Sequence, residues 1–550
     1  MKTNPKGFFL AILLTILTGA VLYYIFLPVL NPKSIGMWFF LFILLGEFAA
    51  LYESFCWISC LHKQPRIDHK PAIFCVSFVA IAFLALVVLV FFSSDVFHAK
   101  RYSEILTVEE DCNFETDLEE TVATDAIAIM DTASAQMLGN RKLGSLSNLV
   151  SQYNVSETYS QINYQNSPMK VAALDYAGFF KYIKNKKTGI PGYVLVSPVD
   201  MSANYVELEE NMKYVPSAYF SKNLTRHIRF HHPTKMIRNT WFEIDEEGKP
   251  FYIASVYDYT IGLFGGEDIK GAIVVDPVSG DSTYYNKKDI PTWVDIVYDG
   301  NLLCEQYNYY GNLKNGFLNS KFSATGCKVT TNDFGYIARD NDIWVYTGVT
   351  SVNSDASNIG FVLMNERTQE AKFYSIPGAD EASAMAAAEG EVQQYRYSAS
   401  FPSLINIDGN ATYLMVLKDS GGLIKMYAAV NAEQYNIVTT AAEQQECIEK
   451  YRARMKRGGE EEVPEETVSD TDAADNKTPE PSIAPEDYQE KEVTIKKLET
   501  IDVDGNTYLY LLTSDGEYFH AKYVDVLAMM DVKEGDTITI QVYQDLFLYE

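Results

Sequence analysis

The sequence predicts an α+β membrane protein with three N-terminal transmembrane helices, a mixed α/β domain beyond them and a small C-terminal β-barrel. Three observations predict it. The stretches Phe8–Leu27, Ile35–Ser59 and Ala72–Phe92 are apolar and long enough to cross roughly 30 Å of hydrocarbon as helices. From Ile190 to Val438, runs rich in Val, Ile, Tyr and Phe are broken by Gly, Asp and Asn, the pattern of strands and turns. The last sixty residues show five more such runs after a long acidic stretch. The expected boundaries are 1–95 for the membrane region, 96–190 for an acidic juxtamembrane helical region, 191–456 for the α/β domain, 457–489 for a disordered linker and 490–550 for the barrel.

The first and third spans carry no charge. Lys2 and Lys6 precede the first span, and Lys63, Arg66 and Lys70 sit between the second and third, whereas the first loop holds Lys33 alone. Positive residues stay on the cytoplasmic side. A multi-pass protein of the cell membrane is therefore expected, with its N-terminus cytoplasmic and everything after residue 94 extracytoplasmic. The first span is too long for a signal peptide and lacks a small-residue cleavage site, so it is expected to remain. Glu47 lies near the middle of the second span, where a carboxylate needs a partner, a polar cavity or a proton. It reads either as an ion or docking site or as a protonated side chain bonded to a neighbouring helix.

The net charge is −28. That excludes nucleic acid as a partner, because phosphates demand Lys and Arg. Twelve acids against one lysine between Glu460 and Glu490 mark a segment that extends by self-repulsion and buries too little to fold. Of the seven cysteines, Cys56, Cys60 and Cys75 fall in the spans. An extracytoplasmic setting permits disulfides. Cys304 and Cys327, which flank one loop-rich stretch, are the expected pair, with free buried thiols as the alternative.

Within the large domain, a helical pattern runs from Ala126 to Gly139. A second is expected over Met169–Gly189, where Lys181, Lys184, Lys186 and Lys187 would complement the helix dipole. Strands are expected over 192–200, 250–260, 271–285, 342–352, 360–374, 411–419 and 422–438. Gly271-Ala-Ile-Val-Val-Asp aligns with Gly360-Phe-Val-Leu-Met-Asn at an offset of 89, and Tyr284 and Tyr285 then meet Phe373 and Tyr374. A third copy covers Met426–Val438. Helical stretches follow the second and third copies, and Asp289–Tyr298 can take the same place after the first. Duplicated strand–hairpin–helix units sharing one architecture are the expected result.

Hairpins of this form, with Gly, alternating apolar residues, Asp or Asn, a turn and a closing Tyr, resemble the PepSY-type module of bacterial cell-envelope proteins. Residues 125–455 also resemble an uncharacterised family of bacterial membrane-anchored envelope proteins, through stretches such as NRKLGSLSNLVSQYNVSETYSQINY, KNLTRHIRFHHPT and YTGVTSVNSDASNIGFVLMNERT. The resemblance implies location and architecture and no reaction.

One stretch departs from the acidic background. Ser221–Arg238 carries Lys222, Arg226, Arg229, Lys235, Arg238 and three histidines, with no acid. It reads as a basic surface for anionic headgroups or a cell-wall polyanion, as a metal site of His227, His231 and His232, or as an internal counter-charge to the acidic segment at 104–125. Pro233 ends any helix there and no HExxH glutamate is present, which disfavours the metal. Gly262–Gly266 lacks the lysine of a phosphate loop, and no nucleophile motif occurs. The aromatic region of Tyr307, Tyr309, Tyr310 and Trp344 reads as sheet packing.

The C-terminal runs KEVTIKKLETIDV, NTYLYLLTS, GEYFHAKY, DTITIQV and DLFLYE, with hairpins at Asp504-Gly505 and Asp515-Gly516, suggest an OB- or SH3-like barrel. The expected function is binding or scaffolding at the cell envelope, without catalysis or cofactor. Its expected partners are the lipid bilayer and other envelope or membrane proteins. The alternatives are regulation of an envelope hydrolase, by analogy with PepSY modules, and a transport or enzyme subunit using Glu47 or the histidine cluster.

Overall fold

The computed structural model describes all residues except 1–4, 62–68, 111, 122–128, 332, 353–356, 459–488, 504–505, 523–525, 527–531, 534, 544–545 and 549–550. The acidic linker, but for its first two residues and Gln489, lies outside the described residues, as do Lys63 and Arg66. The chain divides into one unit of Met1–Glu391 with Tyr397–Glu460 and a second of Val392–Arg396 with Glu461–Glu550.

The three apolar stretches form helices α1 (Pro5–Phe26), α2 (Ile35–Leu61) and α3 (Lys70–Phe92), each long and apolar enough to cross a membrane. Their outward side chains, such as Phe9, Ile16, Phe74 and Ile81, have no protein cover, as lipid-facing residues should. Gly19 lets α1 approach Leu44 of α2, and Phe8 meets the rings of Phe48 and Tyr52 edge-on. Small and aromatic residues thus supply the packing that a hydrophobic drive cannot supply inside lipid. Helix α4 (Asp95–Ser103), kinked at His98, leads from α3 into the folded domain.

That domain holds four antiparallel-rich sheets. The first contains β1 (Tyr153–Val155), β2 (Ser160–Tyr164), β3 (Ser167–Tyr176), β4 (Ile190–Ser197) and β5 (Ser202–Met212), preceded by α5 (Thr132–Gly144). The helix expected over Met169–Gly189 is a correction. Its first half is β3, which pairs with β2 on one edge and β4 on the other, and only α6 (Phe179–Asn185) is helical. Val171–Leu174 are buried on both faces, so the alternation that identifies a half-exposed strand is absent.

Helix α7 (Leu224–His231) leads to the second sheet, a meander of β6 (Met236–Ile244), β7 (Pro250–Ile261), β8 (Gly265–Val275) and β9 (Ser282–Asn286). Helix α8 (Gly300–Leu313) precedes the third sheet, built on β10 (Gly335–Arg339), β11 (Asp342–Ser351), β12 (Ser357–Asn365) and β13 (Ala371–Tyr374). Helix α9 (Glu381–Glu391) precedes the fourth, of β14 (Ser403–Ile407), β15 (Asn410–Lys418), β16 (Ile424–Asn431) and β17 (Val438–Ala441), which α10 (Gln444–Lys456) covers.

The second sheet is the middle layer. Tyr252, Ala254, Ile273 and Val275 face a core shared with the first sheet, and Ile253, Ala272 and Val274 face α8 and the third sheet. A strict period of two is what a strand buried on both faces needs in order to feed two cores. Three hairpins share one register: Tyr193 pairs with Val206, Ala272 with Tyr285 and Phe361 with Tyr374. At each hairpin apex a side chain caps the turn. Ser197 accepts from the Asp200 N–H at 3.0 Å, Asp276 from Val278 at 2.8 Å, and Asn365 from Arg367 at 2.9 Å. In the fourth sheet Asn431 accepts from Gln434 at 2.7 Å, and Tyr427 pairs with Ala441, one residue further round.

Asp289–Tyr298 is not helical. Its backbone donors go elsewhere: Asp295 and Ile296 N–H donate to the Glu243 carboxylate at 2.9 and 3.0 Å, and Val297 and Tyr298 to the Glu366 carbonyl at 3.1 and 2.7 Å. The helix starts at Gly300, where the Asp299 side chain caps the Leu302 N–H. The Asp295 carboxylate in turn accepts from Asn163 N–H of β2 at 2.8 Å. Three sheets are thereby stitched together around buried acids. Lys170, also buried, faces this group and is pushed down to about 8 by burial, against the pull of Asp131 and Glu366.

The second unit contains a closed barrel of β18 (Gln489–Val503), β19 (Asn506–Thr513), β20 (Tyr518–Lys522), β21 (Thr537–Tyr543) and β22 (Leu546–Leu548). Val493 and Ile495, Leu509 and Leu511, and Phe519 and Ala521 alternate into its core. Strands β20 and β22 pair in parallel, and the other pairings are antiparallel.

Burial raises the Glu243 carboxyl to about 7, against two backbone hydrogen bonds that favour its ionised form. The folded protein therefore holds a proton that the unfolded chain releases above about pH 4.5. This stabilisation is complete below the unfolded pKa and is lost as pH rises through the folded one. Glu243→Gln is expected to lessen the fall in stability between pH 4.5 and 7.5, with Asp295 and Glu366 still contributing to it. The wild type loses on the order of 1–3 kcal/mol relative to the variant over that interval. Denaturant unfolding of both proteins in detergent across that range checks this, and parallel profiles would contradict it.

Candidate functional site

The face of the domain nearest the spans carries the residues that the sequence singled out. The connection between spans and domain is a clamp. Ser93, the C-cap residue of α3, donates its hydroxyl to Leu89 O at 2.7 Å and accepts from Leu263 N–H at 3.1 Å. Tyr102 of α4 donates back to the Ser93 carbonyl at 2.8 Å. The glycine-rich turn Gly262–Gly266 exists for this approach. A β-carbon on Gly262 would lie 2.2 Å from Ser93 Oγ, one on Gly265 2.2 Å from Ser93 O, and Gly262 has φ of +59°. On the α1 side, Leu30 N–H donates to Pro233 O at 2.8 Å, and Lys33 pairs with Asp258 at 2.9 Å. Lys33, the lone cation of the first loop, thus holds the domain in place.

The basic residues of 221–238 fall on this face, but most turn inward. Arg238 bridges Glu267 at 2.7 Å and Asp299 at 2.6 Å. Arg229 is buried and donates to Lys235 O at 2.7 Å. Lys235 sits 3.4 Å over the Tyr284 ring and Lys222 3.8 Å over Tyr214. Arg226 alone meets a span: its guanidinium lies 4.3 Å over the Tyr24 ring and donates to Tyr24 O at 3.2 Å. The counter-charges are Glu267 and Asp299, whereas Glu110 and Glu120 of the acidic segment pair with Lys314 and Arg452.

The histidines are engaged singly. His227 Nε2 donates to Gly280 O at 2.7 Å, His231 Nδ1 donates to His227 O at 2.8 Å, and His232 Nε2 meets Ser282 Oγ at 2.8 Å. Burial pushes His227 and His232 below the usual imidazole range. Among the described residues no cluster of His, Cys, Asp and Glu has metal-binding geometry.

Cys304 and Cys327 do not form the expected disulfide; both are free thiols. Cys327 Sγ contacts Asn312 O at 3.5 Å. Asn312 lies eight residues along α8 from Cys304, about 12 Å at 1.5 Å per residue and beyond the roughly 7 Å reach of a disulfide. Glu47 lies on α2 with Oε2 buried and without a hydrogen-bond partner among the described residues. Glu53 pairs with His69 at the start of α3, 2.8 Å away.

Sequence reading missed two features. One is a cleft of about 600 Å³ lined by residues 116–121, by Tyr336–Asn341 and by Ser403–Asn406, including Asp117, Glu120, Arg339 and Asn406. The other is a set of exposed rings around α6: Phe179, Phe180, Tyr219 and Phe220. Their signal was in the sequence as Phe-Phe-Lys-Tyr-Ile-Lys, hidden by its reading as the end of a longer helix. No protein-family model matches this chain, and no curated protein matches it.

The clamp gives a direct expectation. Gly262→Ala adds a methyl against Ser93 and forces a strained backbone, at about 1–3 kcal/mol. The variant is expected to melt several degrees lower in detergent. It should also be cleaved faster by protease between residues 93 and 103, while Gly390→Ala, in the helix Glu381–Glu391 with open space around it, lowers neither the melting temperature nor the resistance to protease.

Proposed function

We propose that this protein is a membrane-anchored, extracytoplasmic binding or scaffold protein of the cell envelope that performs no catalysis. The observation that carries the proposal is the clamp. The large domain is bonded to the exits of α1 and α3 through Arg226, Leu30, Lys33, Ser93 and Tyr102, so it is held in one attitude to the bilayer. A domain held in this way suits the presentation of a binding surface. The shared hairpin register supports duplicated PepSY-like units. The barrel order, with its third and fifth strands parallel, supports an OB-like partner module. The cleft beside β10 and β14 is the candidate partner site in the larger domain, because it is about 600 Å³ in volume and β10, which lines it, has one hydrogen-bonded strand neighbour, β11, whereas Thr121 N–H already bonds Asn406 O of β14 at 2.7 Å.

Affinity purification of the full chain from detergent is expected to recover a stoichiometric membrane or envelope protein. Deletion of 490–550 is expected to release it, and retention of the partner by the deleted chain would assign binding elsewhere. For orientation, a reporter enzyme active only outside the cytoplasm should be active when fused after Glu550 and silent when fused after residue 65. The reverse pattern would overturn the charge-based topology.

A further inference from the structure

Two exposed apolar clusters adjoin the ends of the spans. The first is formed by Phe179 and Phe180 of α6 with Tyr219 and Phe220, and Phe180 is 83% exposed. It is continuous with the last turn of α1: the Phe179 ring meets Tyr219 and Phe220, Arg226 donates to Phe220 O at 2.7 Å, and the same guanidinium covers Tyr24. The second is Leu318 and Phe322, 71% and 85% exposed, in the turn after α8. It adjoins the exit of α3 through Phe317 and Leu313, which pack on Ala99 and Tyr102 of α4, and Tyr102 bonds to Ser93.

Charge sets these clusters apart from ordinary exposed rings. Residues 177–189 and 212–238 together hold ten Lys or Arg and no Asp or Glu, in a chain of net −28. Residues 306–332 hold Lys314, Lys321 and Lys328 and no acid. The inward-turned cations described above leave Lys184, Lys186 and Lys187 exposed beside the first cluster and Lys321 beside the second. Aromatic and aliphatic tips rimmed by lysine are the composition of segments that sit in the headgroup layer. The first cluster is tied through Arg226 to the last turn of α1, and the second through α4 to the cap of α3, the ends at which these apolar helices stop.

We infer that these two clusters are feet that insert into the leaflet where α1 and α3 emerge, and that the lysines bind its anionic lipid headgroups. The inference rests on the membrane-anchored reading and is independent of any protein partner. The clamp fixes the domain to the spans, and inserted feet would fix the spans and domain together against tilting in the bilayer.

The test uses the full chain in lipid nanodiscs, with tryptophan as a depth probe and brominated acyl chains as quencher. Phe180→Trp and Phe322→Trp report the feet, Tyr435→Trp reports the distant hairpin of the fourth sheet, and Ile16→Trp reports the middle of α1. The signal of the five native tryptophans is subtracted using the unsubstituted chain. Quenching at 180 and 322 is expected to exceed that at 435 several-fold. At 180 it should be stronger in discs of equal phosphatidylcholine and phosphatidylglycerol than in phosphatidylcholine alone. Quenching at 16 with none above background at 180 and 322 would overturn the feet while leaving the anchor intact. No quenching at 16 would overturn the anchor itself. Equal quenching at 180 in the two lipid mixtures would overturn the anionic preference, and shielding from both brominated lipid and aqueous iodide would assign the clusters to self-association.

Discussion

The structure depends on one junction, the bonding of the β7–β8 turn to the end of α3. Ser93 caps its own helix and at the same time accepts from the turn of the second sheet, which removes the swivel that a helix–domain linkage normally has. The short approach is possible only because the turn has no side chains at Gly262 and Gly265. The second sheet is also the middle layer of the domain, with a core on each face. Fixing that sheet to the membrane therefore orients the first and third sheets as well.

The second constraint is electrostatic. A chain at −28 could meet its acids with water, yet many of its cations are used inside. Arg238 holds Glu267 and Asp299, Arg367 holds Asp342 at 2.6 Å, and Lys418 holds Asp131. The buried acids Glu243, Asp295, Glu366 and Glu381 are pushed above the usual carboxyl range by burial. The Glu243 carboxyl spends its hydrogen bonds on the backbone of Asp295 and Ile296, and the Glu366 carbonyl accepts from Val297 and Tyr298, which is how a non-helical connection can cross the junction of three sheets. With most of the cations of 221–238 turned inward, the outward positive charge of the membrane-proximal face falls to Lys184, Lys186 and Lys187.

The hairpins show how far sequence periodicity carries. The offset of 89 between Gly271 and Gly360 was visible as an alignment, and the paired registers agree with it. The first sheet follows the same geometry at an offset of 79, from Gly192 to Gly271, and escaped notice because Ser197 stands where the others have Asp or Asn. In each, a β-carbon at the glycine would lie within about 2.2 Å of a backbone oxygen on the adjacent strand. Asp289–Tyr298 and Met169–Tyr176 were misread for one reason. A helix is inferred from local spacing, but their backbone partners come from elements far away in the chain.

The sequence by itself determined the three apolar helices, the strand-rich domain and the five-stranded barrel. These follow from hydropathy and alternation, which are local properties. The tertiary structure alone decided which cations are internal, that Cys304 and Cys327 stand apart, that Gly262–Gly266 serves a helix cap and that the exposed segments of Phe180 and Phe322 connect to the ends of α1 and α3. Each of these depends on contacts between residues distant in the chain, and those contacts are set by how the sheets pack.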